Sequence, residues 1–335
     1  MAAASLAFTA GSVLMLALGV YLNRQGEMTV GTVLTLFRFS QQVSDPLWQV
    51  AEQLSEFQKA AAGTRRAARL LATESTIADG RAGDLPPGPL TLDLDEVSFG
   101  YGTAQPVLHA IDLHLAPGTS LGIVGRTGSG KSSIGRLALR LWDPEVGKVR
   151  LGGKDLRDVR FEDLRRRTAV VTQEVEIFRA SLRDNLTLFG AIDASDDDLR
   201  AALDDVGLDV WWRNLPRGID SDLHGPDDLS AGEAQLLAFA RVLLSDPGLV
   251  VLDEASSRLD PGTEQRLKAA TTRLLEGRTA VIIAHRLATL DDVDEILVLD
   301  HGHIIEHGSR AELATDPTSR FAELAQASLA AGGTR

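Results

Sequence analysis

Residues 121–133 read LGIVGRTGSGKSS, an apolar run that breaks into a glycine-rich turn and then into Lys131, Ser132 and Ser133. Few folds accommodate such a turn. Its glycines let successive backbone N–H groups curl toward one point, the lysine brings a positive charge there, and a helix opening near Lys131 directs its positive end to the same place. The turn therefore demands a buried strand before it and a helix after it, as in an α/β fold with the loop at a strand's carboxyl end. The residues assigned to phosphate binding are Gly125, Arg126, Thr127, Gly128, Ser129, Gly130, Lys131, Ser132 and Ser133, with Ser132 also placed to bind Mg²⁺.

Three further short apolar runs end in residues with chemical potential: AVVT at 169–172, LVVL at 249–252 and VIIA at 281–284. Buried parallel strands deliver functional groups in this way. LVVL leads into Asp253 and Glu254, adjacent acids that are costly to bury without a cation or a proton-accepting role. Asp253 fits a magnesium ligand, and Glu254 fits a general base that orients the attacking water.

The chain contains no cysteine, so disulfides, thiolate metal sites and cysteine nucleophiles are excluded. A formal net charge of -13 argues against nucleic acid as a partner, because phosphate neutralisation needs a basic face. The acids cluster at 193–209 and 220–228, which reads as solvated helix surface.

The first 23 residues hold no Asp, Glu, Lys, Arg or His, whereas everything after about residue 90 is mixed and charged. Residues 6–22 form an apolar run close to the ~20 residues that a bilayer core of about 30 Å requires. A secretion signal is disfavoured, since no Lys or Arg precedes the run. A second helical stretch over 30–71 is amphipathic: Arg38, Gln41, Gln42, Asp45, Gln49, Glu52 and Gln53 trace one stripe, and Leu36, Phe39, Val43, Leu47, Val50, Leu54 and Phe57 the other. Arg38 facing lipid would cost roughly 2.5 kcal/mol or more, so the polar stripe is expected to face a bundle or a watery cavity. Lys59, Arg65, Arg66 and Arg69 stand in the last part of the second helix, against Arg24 alone in the turn, and this bias places the downstream part in the cytoplasm. The expectation is a transmembrane hairpin over 1–72 with helices at about 5–22 and 30–71, a linker over 73–89 and a nucleotide domain over 90–330 of a multi-pass cell-membrane protein.

A family resemblance rests on residues 228–236, DLSAGEAQL, which resemble the LSGGQ signature of ABC ATPases, with Ser230, Ala231, Gly232 and Glu233 at its core. Tyr101, in VSFGY, resembles the aromatic that stacks on adenine, and Gln173, in VVTQE, the Q-loop glutamine. ASSRLD at 255–260, ending in Asp260, resembles the D-loop, and His285, in IIAHR, the switch histidine. Across residues 90–324 the chain is similar to an ABC-type P-loop NTPase, which implies a mixed sheet core with a helical subdomain. The resemblance implies ATP and Mg²⁺ as cofactors, with Gln173 joining Ser132 and Asp253 at the metal and Glu254, Gln173 and His285 in catalysis. It implies a second ABC subunit, its signature segment reaching the first copy's ATP, and an exporter-type half-transporter with further membrane helices and the lipid bilayer as partners.

The sequence departs from that pattern in places. About four of the membrane helices usual in such exporters are not represented, so a truncated, transport-incompetent piece is one alternative; a soluble ABC-type ATPase that does not transport is the other. SDLHGPDD at 221–228 replaces the exporter segment close to TEVGERG, and Ala234 and Leu236 stand where basic residues often follow the signature. The transported substrate is not legible.

Overall fold

The computed structural model describes residues 2–81, 83–102, 105–253, 261–284 and 287–332, which form two compact units, 1–76 and 77–335. The first unit is a helical hairpin of α1 (Ala2–Arg24) and α2 (Val30–Leu71). Asn23 closes the turn by donating to the Met28 carbonyl at 2.6 Å, and Thr29 caps α2 by accepting from the Thr32 amide. At Gly19 an added Cβ would stand 2.6 Å from Val33, so glycine permits the close approach of the two helices.

Among the described residues no helix is long and apolar enough to cross a membrane. The two helices pack against each other as a hairpin. α2 carries Arg38, Gln41 and Gln42 on its exposed surface. Leu36, Phe39, Val50, Leu54 and Phe57 are exposed as well. The side chains of Leu6, Val43, Asp45, Leu47 and Glu52 lie outside the described residues.

The second unit contains two sheets. β1 (Leu92–Phe99), β2 (Leu108–Leu115), β4 (Val146–Leu151) and β5 (Lys154–Asp155) form an antiparallel sheet in the order β2-β1-β4-β5. The larger sheet is ordered β10-β9-β3-β8-β7-β6, from β3 (Ser120–Val124), β6 (Thr168–Val171), β7 (Leu249–Asp253), β8 (Thr279–Ile283), β9 (Glu295–Asp300) and β10 (His303–Ser309). Only the β9–β10 pairing in it is antiparallel. The four apolar runs are thus β3, β6, β7 and β8, and β3 and β8 are buried along their whole length, as strands covered on both faces must be.

The helices are α3 (Lys131–Ala138), α4 (Phe161–Arg167), α5 (Leu182–Thr187), α6 (Asp196–Asp205), α7 (Asp209–Arg213), α8 (Ala231–Ser245), α9 (Pro261–Leu275), α10 (Arg310–Thr315) and α11 (Arg320–Gly332). Alternation along β7 divides the core: Leu249 and Val251 join Phe99, Leu121 and Ile134 between the sheets, whereas Val250 and Leu252 join Leu182, Leu199, Phe239 and Leu267 under the helices. The acidic run opens α6, where Ser195 and Asp198 form a capping box, and Arg183 bridges Asp196 and Asp220.

At the start of the second unit, the described residues of 77–89 are held mainly through their backbone carbonyls. The Arg140 guanidinium, 4 % exposed just after α3, donates to the carbonyls of Ala78 (2.8 Å), Val159 (3.0 Å) and Arg157 (3.3 Å), pairs with Asp143 and lies over the Phe161 ring. Lys154 donates to the carbonyls of Gly83 and Asp84, and the Phe161 amide to Asp79. Arg140→Met would strip three carbonyls of a donor while keeping most of the volume. We expect it to destabilise the unit by about 3 kcal/mol, read as a lowered denaturant midpoint, since stranded buried acceptors cost ~1–3 kcal/mol each and water offsets part of this.

Candidate nucleotide-binding site

β3 emerges from the sheet into Gly125, whose φ of 152° and surroundings exclude any side chain: an added Cβ would stand 2.1 Å from the Leu299 carbonyl oxygen. The loop ends at Gly130, the left-handed N-cap of α3 (φ 106°), and no side chain caps that helix. At that end the helix dipole favours an anion. Lys131 is buried, and its Nζ donates to the carbonyls of Gly125 (2.8 Å) and Arg126 (3.0 Å), holding the charge inside the loop's curl. Ser129 is 3 % exposed, and its Oγ has no hydrogen-bond partner in the structure. A buried hydroxyl of this kind suits a phosphate oxygen.

The β9–β10 turn braces the loop: the Gly302 amide donates to the Ser129 carbonyl at 3.0 Å, and the Gly302 carbonyl accepts from the His109 amide at 2.9 Å. Beside the loop lies a cleft of about 390 Å³, with Gly125, Arg126 and Thr127 on one wall and Ala284, Leu287 and Asp300 among the others. Ser132 is half-exposed at the start of α3, and the Ser133 hydroxyl is 2.9 Å from that of Tyr101.

Strand register aligns the remaining groups. Ile283 of β8 pairs with Ile123 of β3 on one side and with Asp253 of β7 on the other. The carboxyl ends of β3, β8 and β7 thus present Gly125, Ala284 and the half-buried Asp253 along one edge. Next along that edge, Val171 of β6 pairs with Leu252, and the exposed Gln173 follows two residues later. Glu254, Asp260 and His285 lie outside the described residues.

Residues 230–233 form the entry to α8. Ser230 is its N-cap, and its hydroxyl accepts from the Glu233 amide while the Glu233 carboxylate accepts from the Ser230 amide and hydroxyl at 2.8 and 2.7 Å. This capping box leaves Ser230 and Ala231 exposed and Gly232 buried. Just ahead, hydrogen bonding from the His224 backbone amide holds the Asp228 carboxyl below its ordinary pKa. Further along α8, burial lowers the pKa of the Arg241 guanidinium, which donates to the carbonyls of Asn185 and Glu176. α8 packs on α5, α6, α9 and β6, whereas α3 packs on β4, β7 and β8, so the signature segment and the phosphate loop stand among different neighbours.

Sequence reasoning missed Arg136, which donates to the Tyr101 hydroxyl at 2.9 Å, and Trp142, whose ring meets Tyr101 edge-on at 5.3 Å. The signal for Arg136 was its spacing: three residues after Ser133 puts both on one helix face.

Comparison with known proteins agrees with this geometry. Residues 108–257 match the family described as "ABC transporter". The chain is 34% identical over 299 residues to the Bacillus subtilis uncharacterized ABC transporter ATP-binding protein YfiC, covering 89% of this chain and 49% of that protein. It is 35% identical over 298 residues to an ATP-dependent lipid A-core flippase of Alcanivorax borkumensis (88% and 51% covered). With a beta-(1-->2)glucan export ATP-binding/permease protein NdvA of Rhodopseudomonas palustris it shares 36% over 314 residues (93% and 52% covered). Among solved structures it superposes on a bacterial Atm1-family ABC exporter with ATP bound at a TM-score of 0.70 and 31% identity, covering 96% of this chain and 56% of that one. The chain spans about half the length of the curated relatives it matches. With the phosphate loop, the aligned strand ends and the capped signature helix in one α/β fold, the second unit is an ATP-binding domain of the ABC transporter family, similar to those of exporters.

Proposed function

We propose that the chain is an ATP-hydrolysing exporter subunit acting at the cell membrane, its nucleotide unit cytoplasmic, with two copies closing head to tail around two ATP molecules. The observation that carries this reading is the row of adjacent parallel strand ends, β3, β8 and β7, which place the phosphate loop, the residue before His285 and Asp253 along one edge. Lys131 and the amides opening α3 hold the phosphates, and the orphaned Ser129 hydroxyl takes a phosphate oxygen. Glu254 accepts a proton from the attacking water, and His285 contacts the terminal phosphate. Tyr101 supports the base. The exposed Ser230 and the start of α8 serve the ATP of the other copy, and Asp260 contributes to the same shared site.

Mg²⁺ fits the donor set of Ser132, Gln173 and Asp253, all oxygen ligands of the kind that a hard cation prefers. Bound there, it would offset phosphate charge during transfer. The names of the relatives support a membrane setting with further transmembrane helices; the cargo is left open.

The composite site is tested by mixing two disabled chains. Lys131→Ala removes one copy's phosphate grip, and Ser230→Arg blocks the signature it lends. Each variant alone is expected to be inactive, and an equimolar mixture to recover part of the wild-type turnover, since one of its two sites is then built from intact halves. A mixture as inactive as its components, with both variants folded and associated, would reject the shared site.

A further inference from the structure

Tyr101 is held by more than its ring. Its hydroxyl lies 2.9 Å from the Ser133 hydroxyl and accepts a hydrogen bond from Arg136 Nη1, also at 2.9 Å. Both partners stand on α3, the helix that begins in the phosphate loop. The ring meets Phe99 edge-on at 4.8 Å and Trp142 at 5.3 Å, so two rings fix its tilt while the helix fixes its tip. Phe99 is fully buried at the end of β1, which makes it a rigid backstop. Tyr101 is half-buried, and the Arg136 guanidinium carbon lies 5.6 Å from its ring centroid.

Arg136 is exposed on a chain of net charge -13, yet its guanidinium is committed to a neutral phenol. A tyrosine that only offered a flat surface would need no such anchoring, and phenylalanine would replace it without loss. An aromatic side chain near a loop must otherwise be ordered at the moment of binding, and that ordering weakens affinity. Here the hydroxyl does the ordering beforehand, and through α3 it ties the base platform to the phosphate loop.

We propose that Arg136 and Ser133 form a latch on the Tyr101 hydroxyl that positions its ring against the nucleotide base, making Arg136 a positioning residue for base recognition. The latch rests on the reading of this site as an ATP site and adds residues and a mechanism to it. It predicts a split between ligands that carry a base and those that do not. Inorganic triphosphate reaches the phosphate loop but has no base to stack.

The test measures equilibrium binding of ATP and of inorganic triphosphate, each with Mg²⁺, to the full chain and to Arg136→Ala, Arg136→Lys, Tyr101→Phe and the Arg136→Ala/Tyr101→Phe double variant. Arg136→Ala and Tyr101→Phe should each weaken ATP binding about fivefold, the factor that one internal hydrogen bond typically contributes. Triphosphate affinity should stay at the wild-type value, the double variant should be no worse than either single one, and Arg136→Lys should recover part of the loss. A Tyr101→Phe protein that binds ATP as tightly as wild type, or an Arg136→Ala protein that loses ATP and triphosphate alike, overturns the latch while the ATP site stands. Wild-type protein that binds neither ligand removes the ATP reading and the latch with it.

Discussion

Glu254→Gln should bind ATP with wild-type affinity and hydrolyse it on the order of 10² to 10⁴ times more slowly, the range that a positioned general base typically supplies. Binding survives because the contacts assigned to the triphosphate come from the loop and α3, where Lys131 is already buried and hydrogen-bonded to the loop's own carbonyls. Turnover falls because glutamine keeps the size of the side chain and an oxygen that orients water, but not the capacity to take its proton. The adjacent Asp253, fixed by its pairing with Ile283 at the end of β7, is expected to keep its place. Phosphate release and equilibrium ATP binding, measured on the same preparation, separate the two effects. The paired-copy reading adds that the variant should accumulate as an ATP-bound dimer on gel filtration. Turnover equal to wild type would remove Glu254 from the role of base, and lost binding would mean that the substitution disturbs the loop.

The same site shows which parts of the molecule a sequence can disclose. Runs such as LGIV and VIIA were legible because a strand buried on both faces admits little but apolar side chains, and β3 and β8 are buried throughout. The loop was legible because its glycines answer to backbone geometry that other residues cannot adopt, as the Leu299 carbonyl makes plain at Gly125. Side-chain contacts between distant segments left no such trace. Tyr101 and Arg136 are 35 residues apart, and nothing in the intervening composition marks the bond between them. Residues 73–89 read as a polar linker because Thr, Ser, Asp, Gly and Pro dominate, yet what holds 77–89 down is its carbonyls, which every residue type carries, and the buried Arg140 that meets one of them. The amphipathic stripes of α2 were visible in sequence, but a stripe does not name what covers it, and its described apolar members Leu36, Phe39, Val50, Leu54 and Phe57 are exposed in the helical unit.

Gly125→Ala should cost both stability and phosphate binding, whereas Gly128→Ala, three residues along the same loop, should cost far less. Both glycines have positive φ, 152° and 84°, so conformational strain alone does not separate them. Space does. At Gly128 an added Cβ meets nothing within 4 Å, while at Gly125 it would stand 2.1 Å from the Leu299 carbonyl and 2.8 Å from the Ser129 hydroxyl. Leu299 cannot yield easily, because it is paired with Ile304 inside the β9–β10 ladder whose turn braces the loop through Gly302. The loop must move instead, and with it the Gly125 carbonyl that holds Lys131 and the Ser129 hydroxyl assigned to a phosphate oxygen. We expect Gly125→Ala to lose about 3 kcal/mol, strain plus overpacking, and to bind inorganic triphosphate at least tenfold more weakly. Gly128→Ala should lose only ~1–2 kcal/mol, the cost of a left-handed residue with a side chain. Chemical denaturation and triphosphate binding on the two variants decide it: equal stability and equal affinity would mean that contact with β9 does not shape the loop.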